Sequence, residues 1–549
     1  MRQALSIIIS LLFFGLLSAQ DNVLVIYATQ GNLNEIIEAD TLADGSQAHD
    51  IYRLVSLDTT YKFTGLTTIS SDVIIEGVVD PTTNRPPCIQ PAVLQDQSIP
   101  PTIFTFTGAG TNVVVRNLYL LAIATNNTAN GGGIAIRVTA DDVRLTVDNC
   151  VFDGWQTFGI SYNGQWDDFF ITNSHFRNFV HPNQWYIGEV LRNEWPGEAY
   201  TDTVSMVGNT MLCLNGYASA PVTKYYETYF EFNENKVLYT FKNPFFIFNV
   251  TKGKMNDNIF YANYSGGVDQ TEHPWWDNLW YPDSSYGVIA FQPLDTAKAK
   301  IFSPDDTTNA DYMPIIEAKR EIEVKNNTYY WPTEITDFWN TWNTNNASGN
   351  WIRTPVFMND RTVAMFNDDT AYPYLDESNN VNADPGFMSE MNDEILNGTA
   401  DRWNIGFFDY FEQIRTGTAA ADLWGYKLTN VGTDEDWVPV WPLPESQYIT
   451  ALGDEFNPSI PADFHLNRIY PNPFNPSTTV EYTLDQSGPT TLKVYNVLGQ
   501  EVVTLLDNEY QTAKTYSKTI NMKNQPSGTY FVHLRQGNKS AVKKMLLIK

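Results

Sequence analysis

The sequence predicts an all-β protein: a parallel β-helix solenoid followed by a small C-terminal antiparallel β-sandwich. Three observations predict it. A phrase of short apolar strand, asparagine and second apolar pair recurs from residue 113 onward. The strand-like runs are bounded by Gly, Pro and Asp, with no helical period between the repeats. From Asp463 the chain changes to alternating runs separated by Gly-containing turns.

The first element is an address. In "MRQALSIIISLLFFGLLSAQ" a basic Arg2 precedes an apolar run from Leu5 to Leu17 and small Ser18 and Ala19. This reads as a secretory signal peptide, residues 1–19, cleaved after Ala19. No later segment approaches the ~20 apolar residues of a spanning helix, so the mature chain is expected to carry no transmembrane span. Next, "GNLNEIIEADTL" places Leu33, Ile36 and Ile37 at helical spacing, and "DVIIEGVV" and "IFTFTG" read as strands.

The repeat follows. "VVVRNLYL", "LTVDNCVF", "FFITNSHF", "SMVGNTML", "EFNENKVL", "GKMNDNIF" and "IEVKNNTYY" align on Asn117, Asn149, Asn173, Asn209, Asn235, Asn258 and Asn327. A strand–bend–strand unit cannot bury a face alone, but stacked coils can. Asn tolerates the left-handed backbone that a tight bend needs. Its amide can also hydrogen-bond from coil to coil, so these seven residues are expected to form an internal ladder. A sandwich would favour hairpin turns and more regular spacing, and propeller blades a longer, more uniform period. The aromatic stretch near 262–320 reads as an insertion of irregular coils and a long loop. In "PTEITDFWNTW", Ile335, Phe338, Trp339 and Trp342 mark an amphipathic helix with Thr333 as its expected cap. "GFFDYFEQIR" repeats the pattern with Phe407, Phe408, Phe411 and Ile414. These helices are expected on the solenoid's side or its C-terminal end, shielding an edge. The solenoid is therefore assigned to 24–400 and a helical or irregular closing segment and linker to 401–462.

With its "N-x-x-F" bends and "NADPGF" at 382–387, the region 24–400 resembles the right-handed parallel β-helix proteins of the pectin-lyase-like superfamily. That resemblance implies a fold, since the architecture hosts lyases, hydrolases, adhesins and structural proteins alike.

Residues 463–549 carry ten Lys plus Arg against six Asp plus Glu, whereas the whole chain has a net charge of -29. Strands are expected at "TTVEYTL", "TTLKVYNVLG", "EVVTLL", "YSKTINM", "GTYFVHLR" and "KKMLLIK", with "YPNPFNPSTT" stiffening the entry to the first. The region resembles the type A C-terminal sorting domain of type IX secretion cargo, on "YPNPFNPSTT", "LKVYNVLGQEV", "SGTYFVHL" and "KKMLLIK". The matching positions are Tyr470, Pro471, Asn472, Pro473, Phe474, Gly499, Gly528, Lys543 and Lys544. The resemblance implies the type IX machinery as partner, a secreted or surface location, and either release or attachment to surface lipopolysaccharide.

The acidity disfavours nucleic acid and anionic membranes as partners. Cys88, Cys150 and Cys213 form neither a disulfide framework nor a metal motif and are expected to be buried and unpaired. "GQWDDFFITNSHFRNFVHPNQW" holds the strongest catalytic candidates: Asp167, Asp168, His175, Arg177 and His181. Adjacent Asp167 and Asp168 cannot share a strand face and are expected in a turn. Trp275, Trp276 and Trp280 in "EHPWWDNLWYP" are sugar-stacking candidates, with core filling as the competing reading. "FNDDTAYPYLDESNNVNAD" suits Ca²⁺ by composition but lacks EF-hand spacing, so no metal ligand is assigned and no cofactor is required. The expected function is a structural or glycan-contacting surface protein that meets extracellular polysaccharide. The alternatives are a polysaccharide lyase or glycoside hydrolase, and a self-associating surface-layer or fibre protein.

Overall fold

The computed structural model describes residues 22–427 and 464–548, apart from short internal segments and the stretches 264–286, 292–316 and 346–355. The chain divides into two units, Met1–Ile449 and Thr450–Lys549.

Among the described residues, the first unit is a parallel solenoid of three sheets with 11, 10 and six strands. The first sheet runs from Val23–Ile26 to Leu375–Ser378, the second from Tyr61–Phe63 to Val381–Asn382, and the third from Thr67–Ile69 to Ser219–Ala220. One coil shows the path: Asn112–Arg116 lies in the first sheet, Tyr119–Leu121 in the second and Ile134–Val138 in the third. Arg144–Asp148 then returns to the first sheet, pairing Leu145 with Val113. Alternation sends Val113, Val115, Leu145, Val147, Phe169 and Ile171 inward, all fully buried in one continuous core. Phe152 and Phe176 stack inside at 4.7 Å on successive coils. Helix α1, Leu33–Ala39, packs Leu33 and Ile37 into the same core.

The bend between first and second sheets uses two adjacent positions, and the asparagine repeat divides between them. The outer position is left-handed in every repeat: Asn117, Asn149, Asn173, Gly208, Glu234, Asp257 and Asn326 all have φ between +50° and +70°. The inner position is the next residue, and only there does an internal ladder form. Asn209, Asn235, Asn258, Asn327 and Asn380 occupy it. Asn117, Asn149 and Asn173 are thus one residue out of register with the ladder. Leu118, Cys150 and Ser174 fill the inner column in their coils. The outer asparagines keep a link of their own, since Asn149 Nδ2 donates to Asn117 Oδ1 at 2.8 Å.

Helices cover the outer face of the second sheet over its later coils. Among them are α2 (Thr333–Asn345), α4 (Ser389–Asn397) and α5 (Phe407–Arg415), while α3 (Asp360–Phe366) packs Met365 against the main core. Leu212, Leu238 and Tyr261 of the sheet meet Ile335, Trp339, Phe407 and Phe411 in a second apolar cluster. The helices therefore lie on the solenoid's side. Thr333 is the first residue of α2 rather than its cap, and the Pro332 carbonyl accepts from Ile335 and Thr336. All three cysteines are buried, and none of them forms a disulfide.

Among the described residues, the second unit holds two antiparallel sheets of three and four strands around their own core. Its first strand is His465–Tyr470, ahead of the prolines, and pairs with Ser477–Thr483. "YPNPF" is therefore a connection within the domain and not the entry to its first strand. Polar Asn467 and Arg468 hide the alternation of that strand in the sequence.

Candidate functional site

The five residues proposed from "GQWDDFFITNSHFRNFVHPNQW" are distributed over two sheets. Asp167 and Asp168 lie within the strand Gln165–Thr172 and not in a turn, because an irregularity in register on both sides of Asp167 lets the strand begin early. Asp167 points inward and is fully buried, and its Oδ1 accepts from the Val143 amide at 2.9 Å. Burial, reinforced by Asp141, Asp142 and Asp168, pushes its pKa up to about 8. Asp168 pairs with Arg144 on the preceding coil and is partly exposed. His175 and Arg177 face outward from the second sheet. His181 lies past that strand, and its carbonyl accepts from Tyr410 Oη of α5 at 2.6 Å.

Arg177 is the centre of a buried network. In-register pairing sets it beside Asp153, and its Nε donates to Asp153 Oδ2 at 2.5 Å. Tyr119 donates to the same carboxylate at 2.9 Å, and Asn178 Nδ2 donates to Oδ1 at 2.9 Å. Burial opposes the guanidinium charge, but Asp153 and Tyr119 outweigh it and raise its pKa. Arg177 and Asp153 have 1% and 0% of their side-chain surface exposed, so this pair is part of the wall and does not open to substrate. Burial, with Arg177 and Lys236 adding to it, draws the His175 pKa down to about 3 and keeps the ring neutral.

The third sheet gathers a second set of charges that the linear sequence does not reveal. Thr105, Arg137, Ser161 and Arg192 fall at matching register positions on four successive coils. Glu194 accepts from Arg137 and, at 2.7 Å, from Ser161. Arg192 donates to both oxygens of buried Glu189 at 2.7 Å. Lys242 sits 3.9 Å over the Tyr217 ring, and burial draws its pKa down to about 7 against the opposing pull of Glu189. The available signal was a polar fourth residue in "TIFTF", "IAIRV", "FGISY" and "EVLRN", visible only once those segments are stacked.

A cleft of about 400 Å³ lies between α2 and α5. Glu334, Asp337, Phe338, Thr341, Trp342 and Asn345 line it from α2, recurring at three- and four-residue steps along one helix face. Phe408 faces them from α5. Phe338 stacks on Phe408 at 4.6 Å, and Trp342 lies nearly parallel to Phe338 at 6.1 Å. The three rings are only partly buried, whereas Trp339 and Phe411 beneath them are buried and hold them in place. Trp275, Trp276 and Trp280 lie outside the described residues. Among the described residues, no three His, Cys, Asp or Glu side chains stand where they could share a metal ion. In the acidic stretch, Asp368 caps its own turn by accepting from Thr370 and Ala371, and Asn380 ends the ladder.

In the second unit, the "YPNPF" connection is fastened to the last strand. Asn472 Oδ1 accepts from Leu546 N at 2.8 Å and its Nδ2 donates to Lys544 O at 3.2 Å. Phe474 is buried, and its backbone bonds Leu546 and Ile548 on both sides. Lys543 Nζ reaches the Leu466 carbonyl at 3.4 Å, while Lys544 is exposed. Gly528 opens the penultimate strand. Pro471, Pro473 and Gly499, and the side chain of Tyr470, lie outside the described set.

The molecule is thus a parallel β-helix joined in one chain to an antiparallel domain closed by its own terminal strand. Residues 468–549 match a family described as the secretion system C-terminal sorting domain. No curated protein matches the chain. The match marks the protein as type IX secretion cargo, a secreted protein of the cell surface or exterior, with that machinery as its partner. Among the described residues, no helix is long and apolar enough to cross a membrane.

Proposed function

We propose that the β-helix is a non-catalytic surface protein that contacts extracellular polysaccharide. One observation carries this reading: the partly exposed Phe338–Trp342–Phe408 surface in the α2–α5 cleft. Flat aromatic rings held rigidly from below stack on the apolar faces of sugar rings, and few polar groups around them fix orientation. Arg177, one of the five catalytic candidates in the sequence, is committed to Asp153 and Tyr119 and is withdrawn from chemistry. The reading requires no cofactor. Attachment of the exported protein to surface lipopolysaccharide is compatible with it.

The test is binding and turnover of the mature protein on a panel of acidic, neutral and basic polysaccharides. The expected result is binding without new reducing ends or unsaturated products, and loss of binding in Trp342→Ala. A second reading, a polysaccharide lyase or glycoside hydrolase, is favoured by the charges on the third sheet. In that case turnover would appear and would fall in Lys242→Met or Arg192→Ala, while Trp342→Ala would retain it.

A further inference from the structure

We infer that the α2–α5 cleft selects an amine-bearing, positively charged sugar, such as a glucosamine unit of a polysaccharide, over neutral or uronate sugars. The inference rests on the glycan-contacting reading and adds the class of ligand. Its ground is the charge on the rim. Glu334 and Asp337 both line the cleft, and both are exposed. Neither forms an ion pair among the described residues, whereas the carboxylates Glu76, Glu189 and Glu194 each hold an arginine. Among the described residues, no Lys or Arg lines the cleft.

The helix period explains why both carboxylates act on one ligand. Residues 334, 337, 338, 341 and 342 form a single stripe, so the acids stand along the stripe that carries the rings. A ligand stacked on Phe338 and Trp342 lies within reach of both charges. An ammonium group gains there twice, from the carboxylates and from the aromatic faces, which attract cations. A uronate meets repulsion from the same groups. An N-acetyl group removes the positive charge and keeps only the stacking. Thr341 and Asn345 supply neutral donors and acceptors suited to ring hydroxyls. The volume of about 400 Å³ falls at the small end of the range for ligand sites and suits a short segment of a chain.

The experiment is calorimetric titration of the mature protein with three tetrasaccharides: glucosamine, N-acetylglucosamine and galacturonate. The expected result is at least tenfold tighter binding of the glucosamine oligomer, weakened by salt. Glu334→Gln with Asp337→Asn should reduce that preference to within about twofold. Thr341→Lys, at an exposed position that leaves the packing intact, should weaken glucosamine binding at least tenfold. Thermal melting of each variant separates loss of the site from loss of the fold. Equal binding of charged and neutral oligomers, abolished in Trp342→Ala, would overturn the charge selection and leave the glycan reading standing. Tightest binding of galacturonate would overturn it as well. Absence of binding to all three at millimolar concentration would remove both the selection and the glycan reading of this cleft.

Discussion

The Asn235 amide donates to Asn258 Oδ1 at 2.9 Å, and Asn235 Nδ2 donates to the Met206 carbonyl of the preceding coil at 2.8 Å. The same pair of contacts recurs at Asn209, Asn258 and Asn327. At the bend the sheet ladder is interrupted, and each coil leaves one inward amide and one inward carbonyl. A side chain carrying both an acceptor and a donor satisfies both. Asn258→Ala should therefore strand the Asn235 amide and the Phe232 carbonyl. Urea unfolding should report a loss of about 2–4 kcal/mol.

The outer bend position predicts a different result. Asn149 has φ +51° and is partly exposed, so its requirement is conformational. Asn149→Ala should cost about 1 kcal/mol and Asn149→Gly should be nearly neutral in the same assay. Equal losses at Asn149 and Asn258 would contradict the division of roles.

Arg177 and Asp153 make a matched test of the buried pair. Arg177→Met alone leaves Asp153 charged and buried and should destabilise by about 3–5 kcal/mol. Adding Asp153→Leu should recover a substantial part of that loss, because no uncompensated charge then remains. Thermal denaturation of the single and double variants measures the difference.

Asp167 and His175 predict opposite pH dependences. Asp167 titrates at about 8 when folded, against about 3.9 in an unfolded chain. The folded state binds the extra proton between those values, so stability falls as pH rises from 4 to 8, and the loss is complete above 8. Asp167→Asn cannot ionise and keeps an acceptor for Val143, so its advantage over the parent should grow across that window by roughly 5 kcal/mol at pH 9. His175 titrates at about 3 when folded, against about 6.5 unfolded. There the unfolded state binds the extra proton, so stability is lost as pH falls from 6.5 toward 3. His175→Gln should lessen that loss. Urea midpoints measured from pH 4 to 9 check both signs.

For the sorting domain, deletion of residues 463–549 should leave the protein in the periplasm. Asn472→Ala removes two hydrogen bonds to the last strand and should destabilise the domain by about 1–2 kcal/mol. Cell fractionation and surface proteolysis report the first, and thermal melting of the full chain the second.

The solenoid was legible because its bends repeat one residue type, and α2 and α5 because their aromatic stripes keep helical spacing. The register was less legible. Asparagine serves a left-handed outer bend at 117, 149 and 173 and an interior hydrogen bond at 209 and beyond, so alignment on the letter merges two physical roles. The Arg177 network was hidden because Asp153 and Tyr119 lie 24 and 58 residues away and meet it only through coil stacking. The cleft was half visible. Phe338 and Trp342 stood out as a buried stripe, but the acids beside them acquire meaning only once α5 is placed opposite.

The ladder also has a consequence for how such a chain can change. Asn258 bonds Asn327 across 69 residues and Asn327 bonds Asn380 across 53, with the same geometry as rungs only 23 residues apart. A rung therefore senses the rungs above and below and is indifferent to the length of chain between them. Excursions as long as a small domain can be lengthened, exchanged or lost between rungs while the coil count and register persist. The interior asparagines act as fixed addresses along the axis, and variation at the surface is free to proceed one coil at a time.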